Sequence, residues 1–134
     1  MNTKEGDTEL DIARVPNEDV IIYNSAEWII VIPLTHRSAM YWGRDSNWDT
    51  SWAGGEIWFD QFSKQGNLIV IQNKIYPEML YQFHIESSLF FDKENKAVIF
   101  AEFFSKHPEL RKAVIDHLQE DKQLLHTFQA HCLS

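Results

Sequence analysis

Short apolar runs rich in β-branched and aromatic residues recur between residues 20 and 91, and turn-forming residues separate them. Such runs are typical of β-strands, because these side chains pack well on a pleated surface. The run Trp28–Ile32 has no polar residue, which predicts a central strand that is buried on both faces. Pro33 ends that strand, since proline lacks the amide donor that a ladder requires. The runs predict strands at residues 20–23, 28–32, 67–72, 79–85 and 88–91.

The C-terminal residues 97–134 follow a different pattern, in which apolar residues recur at helical spacing. A one-sided apolar stripe, typical of an amphipathic helix, covers residues 110–118. Pro108 suits the first turn of this helix, and Asp121 can cap a further helix. Strands followed by helices are the order of an α+β domain. We therefore predict a mostly antiparallel sheet of about five strands, covered by a C-terminal helical layer.

The segment between the second and third predicted strands contains signals for two short helices. Thr35 can cap a helix over residues 36–42. Apolar residues at positions 57–62 indicate a second short helix, which ends at Gly66. Residues 44–55, between the two helices, are polar and rich in turn formers, which predicts a long loop.

The 134 residues have the length of one domain, so we predict a single domain over residues 1–134. Residues 1–8 show no apolar periodicity and are predicted to be mobile, whereas residues 10–13 predict a short helical turn. No apolar run reaches the roughly 18 residues of a membrane span, and the first residues are acidic and polar. The expected location is therefore the cytoplasm, with no membrane contact.

Negative charge is concentrated in the first half of the chain. Residues 1–60 hold 11 acidic and 4 basic residues, whereas residues 61–134 hold 9 and 8, within a net charge of −8. Direct binding to nucleic acid is disfavoured, because affinity for a phosphate backbone comes from cationic side chains that displace counterions. The charge favours instead a protein or nucleoprotein partner with a basic surface.

All five tryptophans lie between Trp28 and Trp58, and four of them surround the predicted loop. Three interpretations remain open. The loop can fold back over the sheet with the tryptophans as its own small core. It can present a recognition surface, since Trp and Arg dominate binding hot spots. It can also form a pocket with aromatic walls and orienting carboxylates. The predicted partner-binding residues are Trp42, Arg44, Asp45, Trp48, Asp49, Trp52 and Glu56, with Trp48 or Trp52 as the expected hot spot.

The sequence carries no recognisable catalytic or metal-binding motif. Cys132 is the single cysteine, which excludes a disulfide scaffold, and no His-x-x-x-His or Gly-x-Ser-x-Gly is present. We therefore predict no catalytic residue, no metal site and no cofactor. An alternative is a pocket between residues 43–60 and the sheet, in a small-ligand-binding domain or a hydrolase-like enzyme. That pocket would use Asp45, Asp49, His36 or His84, although a lone strand histidine such as His84 is more often structural.

Several short motifs in residues 20–115 resemble, in the same order, those of a family of small proteins encoded by bacteriophages and mobile elements. The family pattern includes a Pro-Leu-Thr-His stretch, a Trp-Cys-Thr stretch and a Tyr-Gln-Phe-His strand. The resemblance implies a shared fold and a phage-like genetic setting. The corresponding stretches here are Pro33–Ala39, Tyr41–Gly43, Ser46–Thr50, Phe59–Phe62, Gly66–Ile71 and Tyr81–Glu86.

One of these stretches departs from the family pattern. Where the pattern has Trp-Cys-Thr, this sequence has Trp48, Asp49 and Thr50. Any thiol chemistry that relatives carry there has no nucleophile in this chain, because a thiolate is required. The departure weakens an enzymatic interpretation and leaves a binding role as the main expectation.

The leading hypothesis is a cytoplasmic protein that inhibits or neutralises a macromolecular partner by occupying its surface. Small acidic proteins of a phage-like setting often act in this way, and the analogy lies at the level of genetic setting. The expected partner is a host defence complex such as CRISPR, or a toxin, in the manner of an anti-CRISPR or immunity protein. A third hypothesis is a structural subunit of a larger particle that docks through its C-terminal helices.

Overall fold

The computed structural model describes residues 13–133. The predicted mobile segment, residues 1–8, and most of the predicted helical turn at residues 10–13 lie outside this range. Within it, the sheet is antiparallel throughout and its strands pair in chain order. All five predicted strands are confirmed, and their ends agree to within two residues. They are β1 (Asp19–Asn24), β2 (Trp28–Pro33), β3 (Ile69–Asn73), β4 (Leu80–His84) and β5 (Leu89–Asp92).

The helices also follow the predicted signals, which confirms the α+β fold. Thr35 Oγ1 accepts a hydrogen bond of 3.1 Å from the Ser38 amide and so caps the first helix. Asp121 Oδ1 accepts one of 3.1 Å from the Leu124 amide at the start of the last helix. The helices are α1 (His36–Trp42), α2 (Glu56–Gln65), α3 (Phe100–Lys106), α4 (Pro108–His117) and α5 (Lys122–Leu133).

The C-terminal helices cover one face of the sheet, as predicted. Alternate residues of the central strands point toward them, because successive side chains of a strand lie on opposite faces. Phe83 lies near the centre of this core, with ring centroids 5.7 Å from Phe104 and 6.3 Å from Phe128. The strand side chains in this cluster include Trp28, Ile30, Ile32, Ile69, Ile71, Phe83 and Phe90.

The segment between β2 and β3 covers the opposite face of the sheet. Val31 and Val70 pack there against Trp42 and Trp48, so that β2 is buried on both faces as predicted. Residues 44–55, predicted as a long loop, contain two short 3-10 turns, Asp49–Ser51 and Ala53–Gly55. The structure therefore has helical layers on both faces. The sequence predicted the C-terminal layer and the two helices of the other one, and it left open whether the segment between them folds over the sheet.

Asp19 links β1 to α1 through a buried carboxylate. One of its oxygens accepts hydrogen bonds of 2.9 Å from Trp42 Nε1 and from Arg14 Nε. The other accepts one of 2.8 Å from Arg14 Nη2, and the side chain is 1% exposed. The hydrogen bonds from Arg14 lower the pKa of Asp19, and that from Trp42 adds to the effect. The ionised form is therefore the one that stabilises the fold.

We expect Asp19→Asn to lower the free energy of unfolding by about 1.5–3 kcal/mol at pH 7, the range for hydrogen bonds to charged groups. The lowered pKa means that the contribution of Asp19 is present above the unfolded value of about 3.9 and is lost as pH falls through the folded value. The difference between the wild type and the variant should therefore shrink at pH 3. Urea denaturation of both proteins at the two pH values measures it, and an equal difference at both would contradict the assignment.

Candidate functional site

A cavity of about 220 Å³ lies between the Asp49–Ser51 turn, α2 and strands β4 and β5. The structure thus has a cavity at the position predicted for the alternative pocket, between residues 43–60 and the sheet. It opens to solvent, because Asp49, Trp58 and Asn95 are exposed at its edge. The aromatic side chains that line it are Trp48, Trp58, Phe62 and Phe91, and the polar residues are Asp49, Thr50, Gln82, His84 and Asn95.

A compact backbone holds the turn that carries Trp48 and Asp49. Ser46 Oγ accepts a hydrogen bond of 3.3 Å from the Trp48 amide, and Ser51 Oγ donates one of 3.0 Å to the Trp48 carbonyl. Both serines are buried, so these bonds satisfy polar groups that have left water. Gly55 lies against the turn so closely that an added Cβ would be 1.7 Å from the Asp49 carbonyl oxygen. This packing fixes Asp49 at the edge of the cavity.

Hydrogen bonds from two side chains connect the turn to the sheet. Trp48 Nε1 donates a hydrogen bond of 2.7 Å to the Asp92 carbonyl at the end of β5. Gln82 Nε2, on β4, donates one of 3.2 Å to Thr50 Oγ1. Because both bonds are largely shielded from water, the turn is held in register with the two strands that line the cavity.

His84 lines the cavity, but both of its ring nitrogens are already occupied. Its Nε2 lies 3.1 Å from the Phe62 carbonyl and 3.2 Å from the Gly66 carbonyl, so it carries the proton and donates. Its Nδ1 accepts from the Ser87 amide and lies 2.7 Å from Ser87 Oγ. This agrees with a structural histidine and leaves no nitrogen for a proton transfer or a ligand.

The other residues of the alternative pocket divide between the cavity and the rest of the molecule. Asp49 lines the cavity, whereas Asp45 and His36 do not. His36 Nε2 lies 2.8 Å from the Trp52 carbonyl, to which it donates. The predicted pair of Asp45 and Asp49 is therefore not brought together at the cavity, and a two-carboxylate mechanism has no support there.

Two of the predicted partner-binding tryptophans are core residues. Trp42 and Trp48 pack on Val31, Val70 and Leu80, and Trp48 is 1% exposed. The expectation of an exposed indole at position 48 is corrected, because the sheet offers an apolar face on which this indole packs. The first of the three interpretations, a segment folded over the sheet with tryptophans as its own core, describes what the structure shows.

The remaining predicted residues lie nearer the surface. Arg44 is half-buried, with its guanidinium carbon 4.3 Å from the centre of the Tyr41 ring. Trp52 is also half-buried, and its indole N–H has no hydrogen-bond partner within residues 13–133. The acidic members of the set, Asp45, Asp49 and Glu56, are exposed and make no ion pair with a described residue.

Trp58 is the surface residue that the predicted set omits. It is 49% exposed and lines the cavity, whereas Phe59, the next residue of α2, is buried. The sequence shows apolar residues at positions 57–62 without indicating which of them faces outward. A helix with Phe59 and Phe62 toward the sheet places Ile57 on its outer side and Trp58 at the margin of the buried face, one turn before Phe62, and that spacing is the signal that could have identified Trp58.

Over residues 13–133, no three His, Cys, Asp or Glu side chains are grouped so that they could hold a metal ion. No helix of that range is long and apolar enough to cross a membrane. No family model, curated protein or solved structure matches the chain. The resemblance to phage-encoded proteins therefore stays a prediction.

The arrangement at the cavity suits binding. Aromatic walls remove apolar or planar groups from water, and Asp49 adds a single carboxylate at the edge. A nucleophile activated by an adjacent base would need a free imidazole or a second carboxylate within hydrogen-bond reach. Among the lining residues, His84 is committed to the backbone and Ser87, so the cavity holds no such pair.

Proposed function

We propose that this chain acts by occupying a surface on a macromolecular partner, and that it binds this partner through the cavity beside Trp58. The observation that carries the proposal is an aromatic-lined cavity that opens next to a half-exposed tryptophan. Tryptophan is enriched among the few interface residues that supply most of the binding energy. A group from the partner that enters the cavity would contact Trp48 and Phe62, which the fold already holds in place, so these two rings would require little ordering on binding.

The charge of the chain supports a partner with a basic surface. Two acidic residues of the N-terminal half are neutralised within the fold, since Asp19 pairs with Arg14 and Glu18 pairs with Arg37. Three exposed acids of the segment beside the cavity, Asp45, Asp49 and Glu56, have no such cation among the described residues. A surface of this sign speeds encounter with a basic partner and excludes acidic ones.

The motif resemblance supports a phage or mobile-element setting for this activity. In that setting we propose the cytoplasm of the host cell as the location, and a host defence complex such as CRISPR, or a toxin, as the partner. Inhibition would follow from occupation of the partner's basic surface, which in such proteins commonly contacts nucleic acid. The chain would then compete for that surface without binding nucleic acid itself.

We expect Trp58→Ala to weaken capture of the partner by about thirtyfold, because truncation of a hot-spot tryptophan costs about 2 kcal/mol or more. The matched control is Ile57→Ala, since Ile57 is adjacent on α2, is 60% exposed and does not line the cavity. The measurement is capture by the immobilised chain from a lysate of the cell in which it is naturally made, read by mass spectrometry at low and high salt.

The outcomes of this capture experiment separate the proposals. A protein held by the wild type and by Ile57→Ala, lost from Trp58→Ala and released by salt would support the proposed function. Equal capture by all three chains would show that the cavity is not the contact. An empty wild-type bait would overturn a macromolecular partner and favour the second candidate, a small-ligand-binding domain, which the enclosed volume at the cavity allows.

A further inference from the structure

We infer that the group that enters the cavity is the side chain of an arginine presented by the partner protein. This inference rests on the proposed function, since it names the chemical group through which that partner is bound. It is drawn from four features of the cavity: the rings that line it, the sign of its charge, its hydrogen-bond acceptors and its volume. Each of them selects among the side chains that a partner could offer.

The rings select a planar or cationic group. Trp48, Trp58, Phe62 and Phe91 all line the cavity. Aromatic faces carry negative partial charge, so that they attract cations placed above them, and tryptophan does so most strongly. The guanidinium of arginine is planar, stacks on such faces and is less strongly hydrated than the ammonium of lysine. The guanidinium therefore loses less hydration free energy than an ammonium group when it leaves water for an aromatic site.

The charge of the cavity also favours a cation. Asp49 supplies a carboxylate at its edge, and no lysine or arginine of the described chain lines it. The other titratable lining residue, His84, donates its Nε2 proton to two backbone carbonyls. A cation that entered would find one unpaired carboxylate and no competing positive charge, whereas an anion would face Asp49 without a partner.

The remaining polar atoms suit a donor of several hydrogen bonds. Gln82 Oε1 accepts one long bond of 3.4 Å from Thr50 and keeps a second lone pair, and the Asn95 side chain lies at the edge. A guanidinium has five N–H donors in a fixed plane and no acceptor. It can therefore reach Asp49 and a neutral acceptor together, which a single ammonium group does less readily.

The volume is consistent with a side-chain end group. The cavity measures about 220 Å³, whereas an apolar cavity of about 150 Å³ is enough for a benzene molecule in an engineered protein. A guanidinium with part of its aliphatic stem fits between these sizes. The size of the cavity therefore matches the end group of a single side chain.

The test compares arginine with its neutral isostere citrulline, each as the N-acetyl, N-methylamide derivative. The full chain, labelled with ¹⁵N, is titrated with each compound and the indole and amide resonances are followed by NMR. We expect the Trp58 indole and the amides of residues 49–50 to shift saturably with arginine, and binding of citrulline to be at least tenfold weaker. The lysine derivative should also bind more weakly than arginine.

Two variants test the carboxylate. Asp49→Asn should weaken arginine binding about fivefold or more, because the single negative charge of the cavity is removed while its shape is kept. Asp60→Asn is the matched control, since Asp60 is an exposed acid of α2 outside the lining. Amide spectra of both variants without ligand verify that the fold is retained.

The results that overturn the inference are distinct from those that overturn the proposed function. Equal binding of arginine and citrulline, or no saturable shift below about 50 mM, would exclude an arginine site. Equal binding of arginine and lysine would leave a site for cations in general and overturn the choice of arginine. Arginine binding that stays selective while Trp58→Ala captures the partner normally would instead separate the cavity from the partner and overturn the proposed function alone.

Discussion

Trp48→Ala should lower the free energy of unfolding by about 3–5 kcal/mol, the range for truncation of a large buried aromatic residue. Trp48 is 1% exposed and packs on Val31, Val70 and Trp42 in the core on the face opposite the C-terminal helices, here called the second core, so that its loss leaves a void there. The Asp92 carbonyl would also lose the indole donor that it has at 2.7 Å. This loss is a large fraction of the 5–15 kcal/mol that holds a typical domain together.

Urea denaturation followed by far-ultraviolet circular dichroism measures the effect. Trp58→Ala is the control, because truncation of this half-exposed side chain should lower the free energy of unfolding by about 1 kcal/mol or less. Trp48→Phe keeps a ring but removes the donor to Asp92. Its loss in the free energy of unfolding should lie between those of Trp48→Ala and Trp58→Ala. If Trp48→Ala were no more costly than Trp58→Ala, the second core would not depend on Trp48 and the placement of residues 44–55 would be wrong.

Among substitutions that add one methyl group near the cavity, we expect Gly55→Ala to lower the free energy of unfolding most. Its Cβ would lie 1.7 Å from the Asp49 carbonyl oxygen, which is a backbone atom and cannot rotate away. The turn would have to move, at a cost of about 1–3 kcal/mol or more. Because the same turn carries Asp49, we also expect weaker binding of the arginine derivative.

The neighbouring glycine provides the control. An added Cβ at Gly54 meets nothing within 4 Å, and its φ angle does not lie in the left-handed region that disfavours a side chain. Gly54→Ala should therefore be neutral, or more stable by about 0.4–1 kcal/mol, since alanine has fewer unfolded conformations. Thermal and urea unfolding of the two variants gives the comparison. Similar effects at both positions would refute the close approach of Gly55 to the turn.

The fold could be predicted where a signal is local. Short β-branched runs between turn formers marked each strand, and cap residues marked helix starts, as Thr35 and Asp121 show. The order of strands and then helices gave the α+β class. The two helices of the second layer were also predicted, but its place on the opposite face of the sheet was only one of three interpretations, because residues 44–55 form two short turns with neither the period of a helix nor that of a strand.

The site could be predicted in position but not in detail. The alternative interpretation of the sequence placed a pocket between residues 43–60 and the sheet, and Asp49 lies at the edge of the cavity found there. Which tryptophan is buried depends on contacts between residues far apart in the chain, such as Trp48 with Asp92 and Thr50 with Gln82. No local pattern encodes these pairs, so Trp48 was expected at the surface and Trp58 was left out of the binding set.

The cavity-bearing layer is a single insertion between two strands that are neighbours in the sheet. β2 and β3 are antiparallel partners, with Val31 opposite Val70, so a hairpin loop of about two to five residues would suffice to join them. The chain instead places residues 34–68 there, and returns to the sheet beside the point where it left. One contiguous stretch of chain therefore builds the whole cavity-bearing layer, and its hydrogen bonds to Asp19 and to the Asp92 carbonyl join it to both edge strands of the sheet.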